Sequence, residues 1–380
     1  MKICLVTALF IITLSPAVSS AQTKPDKDYL FYVLSEAADK ITLVRFGPEG
    51  ARVERQIETG DMPVDIDGPH GIVVSSDRQF YYVTIAHGRP FGLVWKYATK
   101  DNALIGKATL GLFPATLDVS PDGNFLFVVN FNLHGDNVPS SVSVVSTQTM
   151  AEVARIPTCT MPHGSRLNAQ GTSQYSACMM DDMLVEIDTR SLKASRNFIV
   201  TKGREKGLTG APTPAAAPST HSMHSGGHGS EAPKPGDNSC APTWAEPSID
   251  GNAVYVACNG SSEIVEINTN TWQLVRRIPA RAGVYNLDVT HDGSRLLATN
   301  KRDQSVSIYD LKSGKELARL PTKRKVLHGV VVSPDDRYAF VTVEGVGSEP
   351  GTVEIIDLIA IKTVATLDVA PGAAGIDFYK

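Results

Sequence analysis

Three segments of this 380-residue chain place a histidine directly before a glycine at the head of a short apolar run: Pro69-His70-Gly71, Pro162-His163-Gly164 and Leu327-His328-Gly329. Neutral imidazole ligates copper, zinc and nickel and titrates near neutral pH, so three of them in one sequence context point to a shared metal or acid–base centre. His87 and His134 each follow an apolar run, in Ala86-His87-Gly88 and Leu133-His134-Gly135. A polar tract, His221-Ser222-Met223-His224-Ser225-Gly226-Gly227-His228, carries three imidazoles and a thioether within eight residues. That mixture suits copper, and the thioether favours Cu(I). The competing readings are hydrogen-bonded ties between neighbouring elements for the first three histidines, and a solvated polar loop for the tract.

The elements that would position these side chains recur seven times. Each unit is an apolar strand, a polar turn, and three further short strands, with first strands starting near Gly71, Thr116, Gly164, Trp244, Asn286, Gly329 and Gly375. The turns read Ser76-Asp77-Arg78, Ser120-Pro121-Asp122-Gly123, Asn168-Ala169-Gln170-Gly171, Ser248-Ile249-Asp250-Gly251, Thr290-His291-Asp292-Gly293 and Ser333-Pro334-Asp335-Asp336, where Pro, Asp and Gly supply turn dihedrals. A period of roughly 40–50 residues built from four short strands predicts an all-β, seven-bladed propeller. The last unit stops after one strand and the chain opens with strands lacking a first partner, so the N- and C-terminal strands are expected to share the closing blade.

First strands of a propeller line its axis. His70, His163 and His328 then ring one channel mouth, at a position that the other blades fill with Ala115, Thr243, Tyr285 and Ala374. Second strands end on the same side, which brings His87 and His134 to that mouth and leaves His291 on the opposite face. Residues 203–238 exceed the repeat between blades three and four; their Ala/Pro-rich stretch reads as a flexible insert carrying His221, Met223, His224 and His228 on the mouth side.

Residues 1–21 have the charge, apolar run and small residues of a secretory signal, leaving 22–380 as the propeller and a periplasmic or secreted location. Cys4 falls in that signal; Cys159, Cys178, Cys240 and Cys258 remain. Two precede the first strands of adjacent blades and two end the second strands. Disulfides Cys159–Cys178 and Cys240–Cys258 are expected on that placement. Soft metal ligation with Met161, Met179, Met180 and Met183 is the alternative. No C-x-x-C-H is present, which excludes covalent c-type haem. Net charge is −4, with no basic stripe and no later segment of membrane length; neither nucleic acid nor a membrane span is expected.

Val256-Ala257-Cys258-Asn259-Gly260, Leu297-Ala298-Thr299-Asn300 and the Ser-Pro-Asp-Gly turns resemble the YVTN-repeat propellers over residues 28–380. That superfamily contains lactonases, the d1-haem domain of nitrite reductase, the nitrous-oxide reductase propeller and interaction modules, so the resemblance speaks to fold more than to function. Propellers similar to nitrous-oxide reductase hold copper at the mouth with histidines from several blades, although this chain has no cupredoxin domain. The expectation is copper held by His70, His163 and His328, with His87 and His134 secondary and the insert delivering metal. The role would be metal handling or a redox step beside a periplasmic redox or metal-delivery partner. Two rivals stand: a lactonase-like hydrolase using Asp118, Glu246 and Asp288, and a non-catalytic interaction platform.

Overall fold

In six blades the first two strands are joined by a turn that is locked by its own side chains. In blade two Ser120 Oγ donates to Asp122 Oδ1 (2.5 Å) and accepts from Phe125 N (3.0 Å), while Gly123 takes φ 74°. The same Ser/Thr-to-Asp bond recurs at Ser75, Ser248, Thr290 and Ser333. These turns satisfy their polar groups locally and fix the hairpin register, so the flanking alternation of side chains packs predictably between blades.

The computed structural model describes residues 24–61, 65–87, 91–212 and 239–380, and it forms a seven-bladed propeller. The leader 1–21 and the four ligand candidates of the insert, His221, Met223, His224 and His228, lie outside the described residues. First strands run Pro69–Val74, Pro114–Val119, Pro162–Leu167, Pro242–Pro247, Val284–Val289, Leu327–Val332 and Ala373–Phe378. The last of these pairs with the opening strand Tyr29–Ser35, matching Phe31 to Phe378 and Tyr32 to Asp377, and so closes the ring. Aromatic side chains seal that join: Phe31 packs on Phe340, and Tyr32, Tyr81 and Tyr97 stack between the closing blade and its neighbour. Among the described residues no helix is long and apolar enough to cross a membrane.

Both expected disulfides form, with Cα separations of 5.9 and 4.4 Å. Cys240–Cys258 joins the entry of the first strand of blade four to the exit of its second, within that blade. Cys159, in contrast, belongs to Ala151–Thr160, the fourth strand of blade two, which stays paired up to Thr160, so Cys159–Cys178 staples blade two to the second strand of blade three. Blade three also has a fifth strand, Lys206–Thr209, paired to Lys193–Ile199. The segment leading into it is anchored on blade four by Glu205–Arg277 and Lys202–Glu263 ion pairs. The first residues of the expected insert are therefore part of the blade.

Candidate functional site at the channel mouth

Every first strand is entered through a residue in the left-handed region: Gly68, Phe113, Met161, Ala241, Gly283, Val326 and Gly372. Four of these carry side chains and one is β-branched, a strain concentrated on one face of the ring. The next residue but one is the ring position, and its carbonyl is fixed by the preceding blade. Thr84, Thr116, Thr243, Thr299 and Thr342 hydroxyls donate to the carbonyls of Ala115, His163, Tyr285, His328 and Ala374. The glycine after the histidine has a matching reason. A Cβ on Gly71 would meet the Ala115 carbonyl at 2.2 Å, and one on Gly164 would meet that of Thr243 at 2.3 Å. Close approach of neighbouring first strands thus demands glycine at these two positions.

These constraints bring the three ring histidines together, with ring centroids 6.1 Å apart for His70 and His163 and 5.2 Å for His70 and His328. They are not equivalent. His163 donates Nδ1–H to the Thr243 carbonyl (2.9 Å) and accepts the Tyr285 hydroxyl at Nε2 (3.0 Å), so both nitrogens are engaged. His70 Nδ1 is held by Glu36 at 2.9 Å, whereas its Nε2 is buried without a partner. His328 Nδ1 is likewise buried and unpartnered, and its Nε2 stands 3.9 Å from Glu344. An orphaned buried nitrogen costs about 1–3 kcal/mol, so two in one mouth mark a place where a ligand has something to offer.

His87 sits further out, bonded through Nε2 to the other oxygen of Glu36 (2.7 Å), and its ring is 6.4 Å from that of His134. Burial alone would raise the Glu36 carboxyl, but His70 and His87 together hold it well below the usual carboxylate range. The hydrogen bond that His87 donates to the Glu36 carboxylate raises His87. Burial depresses His163 to about 3 and His328 well below its ordinary value, helped by their neighbours' positive charge. Both are neutral imidazoles at pH 7, the form that coordinates metals.

Sequence reasoning assigned no role here to Tyr285, Glu36, Lys301 and Glu344. Tyr285 occupies the ring position in blade five, and Lys301 Nζ lies 3.6 Å above its ring and 3.4 Å from Glu344. Glu36, Lys301 and Glu344 each immediately follow a second strand, an equivalence that the repeat alignment contains. Three residues down the first strands lie the carboxylates of the hydrolase reading. Asp118 and Asp288 are blade ties: each accepts its own following N–H and one from the next blade, at Leu167 and Val332. Glu246 alone is not; Trp244 Nε1 donates to it at 3.1 Å, and burial with the nearby Asp288 charge pushes it up to about 8. Among the described residues no group of three His, Cys, Asp or Glu side chains is arranged to hold a metal ion. The mouth offers two unengaged nitrogens instead.

No family model matches the chain, and no curated protein matches it. Solved structures do. The periplasmic gluconolactonase PpgL of Pseudomonas aeruginosa is similar over 93% of this chain and 99% of its own, at 15% identity and TM-score 0.68. A functionally unknown protein from Desulfotomaculum acetoxidans covers 92% and 98% at 14% identity and TM-score 0.65. Hydrazine synthase of Kuenenia stuttgartiensis covers 84% and 92% at 19% identity and TM-score 0.61. At such identities the likeness is one of fold, and the fold they share with this chain is the β-propeller.

Proposed function

We propose that this is an exported propeller of YVTN type whose mouth binds one transition-metal ion, copper first, between His70 Nε2 and His328 Nδ1, for metal handling outside the cytoplasm. The observation that carries the reading is the pair of buried, unpartnered imidazole nitrogens in adjacent rings. Cu(I) accepts two nitrogen ligands, which suits a mouth lacking a third. Glu36 orients His70 from behind, as carboxylates do for metal-bound imidazoles. Glu36 and Glu344 outnumber Lys301 around the site, which favours a cation. The two disulfides and the signal-like leader support export.

The test is anaerobic Cu(I) competition titration of untagged, metal-stripped protein, paired with His70→Ala/His328→Ala and with a variant in which His221, Met223, His224 and His228 are all Ala. The first variant is expected to lose one tight equivalent, with affinity falling about 100-fold or more. The second separates any binding by the insert. An unchanged number of tight equivalents in the first variant overturns the reading.

A hydrolase is the second reading, favoured by the Tyr285–His163 bond, which gives the mouth a neutral buried base beside a hydroxyl, and by the fold likeness to a gluconolactonase. Ester or lactone hydrolysis in metal-stripped protein, abolished by His163→Ala, would support it over the first.

A further inference from the structure

We propose that the axial cavity beneath the histidine mouth is a binding site for a small hydroxycarboxylate, its carboxylate on the Arg166 guanidinium and its hydroxyl among His70, His328 and Asn286. All four residues line one cavity of about 30 Å³, with Thr116 and Trp244 in its wall. Arg166 has five N–H donors and, among the described residues, makes one hydrogen bond, from Nη1 to the Ser165 carbonyl at 3.0 Å; Glu246 stands 3.9 Å from its Nε, beyond hydrogen-bond distance. The guanidinium is held in place by the Trp244 ring, 4.5 Å below it. A planar fork fixed against an aromatic face and facing a cavity matches a carboxylate in shape and charge.

The other end of the cavity has the opposite character. Asn286 is 4% exposed and His70 and His328 are each 6% exposed, yet Asn286 Oδ1, His70 Nε2 and His328 Nδ1 all lack a partner. In the tautomer that donates Nδ1–H to Glu36, His70 Nε2 carries a lone pair, and Asn286 Oδ1 is an acceptor. Acceptors call for a donor such as a hydroxyl. Acceptors above and a guanidinium below therefore select a molecule with a hydroxyl at one end and a carboxylate at the other.

Size and charge narrow the class. A cavity of 30 Å³ holds about two waters, so an acid of two or three carbons fits by displacing them, whereas a sugar ring would require the first strands to part. Asp118, Glu246, Asp288 and Asp377 all sense the Arg166 charge. They oppose a dianion such as phosphate and leave room for one negative charge.

The site shares His70 Nε2 and His328 Nδ1 with the metal reading, so it is tested in metal-stripped protein and with variants that leave both histidines intact. Calorimetric titration of the metal-stripped mature chain with glycolate and with lactate should give saturable heat below about 10 mM. Acetate, lacking the hydroxyl, and ethylene glycol, lacking the carboxylate, should each bind at least about fivefold more weakly, the equivalent of one lost hydrogen bond. Arg166→Gln should weaken glycolate about tenfold or more, and Asn286→Ala about fivefold, with Cu(I) uptake unchanged in both. Should Arg166→Gln fail to fold by circular dichroism, Asn286→Ala decides. Absence of saturable heat from both hydroxy acids, or equal heats from the parent and the folded variants, overturns the proposal.

Discussion

Two rings of side chains, three residues apart on the same first strands, differ in what their polar atoms do. In the lower ring Asp118, Asp288 and Asp377 each accept two backbone N–H groups, one from the following residue and one from the next blade. Their oxygens are committed to holding the propeller closed. In the upper ring the corresponding ties are made by threonine hydroxyls onto backbone carbonyls, that of His328 among them, which leaves His328 Nδ1 uncommitted, while His70 is bound to Glu36 through Nδ1 and keeps Nε2 uncommitted. Titratable residues on an axis are thus functional candidates only after their hydrogen bonds have been accounted for, and that accounting separates the rings where residue type does not.

The sharpest way to break this contrast is to remove one member of each ring. Asp288→Ala leaves the N–H groups of Val289 and Val332 without acceptors in a buried setting. A loss of about 3 kcal/mol in urea unfolding is expected, with Cu(I) affinity unchanged. A near-neutral Asp288→Ala would mean that the lower ring is not what closes the structure.

His328→Ala should behave in reverse. It deletes an orphaned nitrogen along with some packing, so the net change in stability should stay within about 1 kcal/mol while metal affinity collapses. His70→Ala also removes the Nδ1 bond to the buried Glu36 carboxylate and should cost about 1–3 kcal/mol. A loss in His328→Ala comparable with that of Asp288→Ala would return that histidine to a structural role.

Much of this contrast was legible in the sequence. The six turns and the spacing of the seven units carried the architecture and the shared closing blade, because hairpin turns are local and a four-strand period has few other solutions. The cysteine pairs followed from equivalent placement in adjacent blades. The convergence of His70, His163 and His328 on one mouth followed from a shared repeat position. Other features depend on contacts that no spacing reveals. Glu36 reaches His70 and His87 only because ring closure brings the opening strand beside blade one. His163 differs from His70 because Tyr285, 122 residues later, bonds its second nitrogen. The fifth strand, Lys206–Thr209, is a short, partly polar segment whose pairing comes from its neighbour rather than from its own pattern. Arg166 and Asn286 became conspicuous through the partners they lack, a property of the folded chain alone.

The subtlest effect concerns Glu246, the one carboxyl of the lower ring that ties no blade. Burial, the Asp288 charge and weak compensation by Arg166 leave it at about 8, and burial raises Asp377 to about 7. Both folded-state values exceed those of the unfolded chain, so the native protein binds these protons more tightly. Their stabilising effect is complete below the unfolded carboxyl range and is lost as pH rises through 7 to 8. Near pH 6.5 the histidines with depressed values are still partly protonated in the unfolded chain alone, so they add stability as pH rises, and they do so equally in the parent and in Glu246→Gln. The difference between the two proteins therefore isolates Glu246: from pH 6.5 to 8 the stability of Glu246→Gln, which keeps an acceptor for Trp244 Nε1, should change in its favour relative to the parent by about 1–2 kcal/mol. Urea midpoints at pH 6.5, 7.25 and 8 measure this difference. Parallel slopes in parent and variant would show that Glu246 is ionised throughout and that the lower ring is uniform after all.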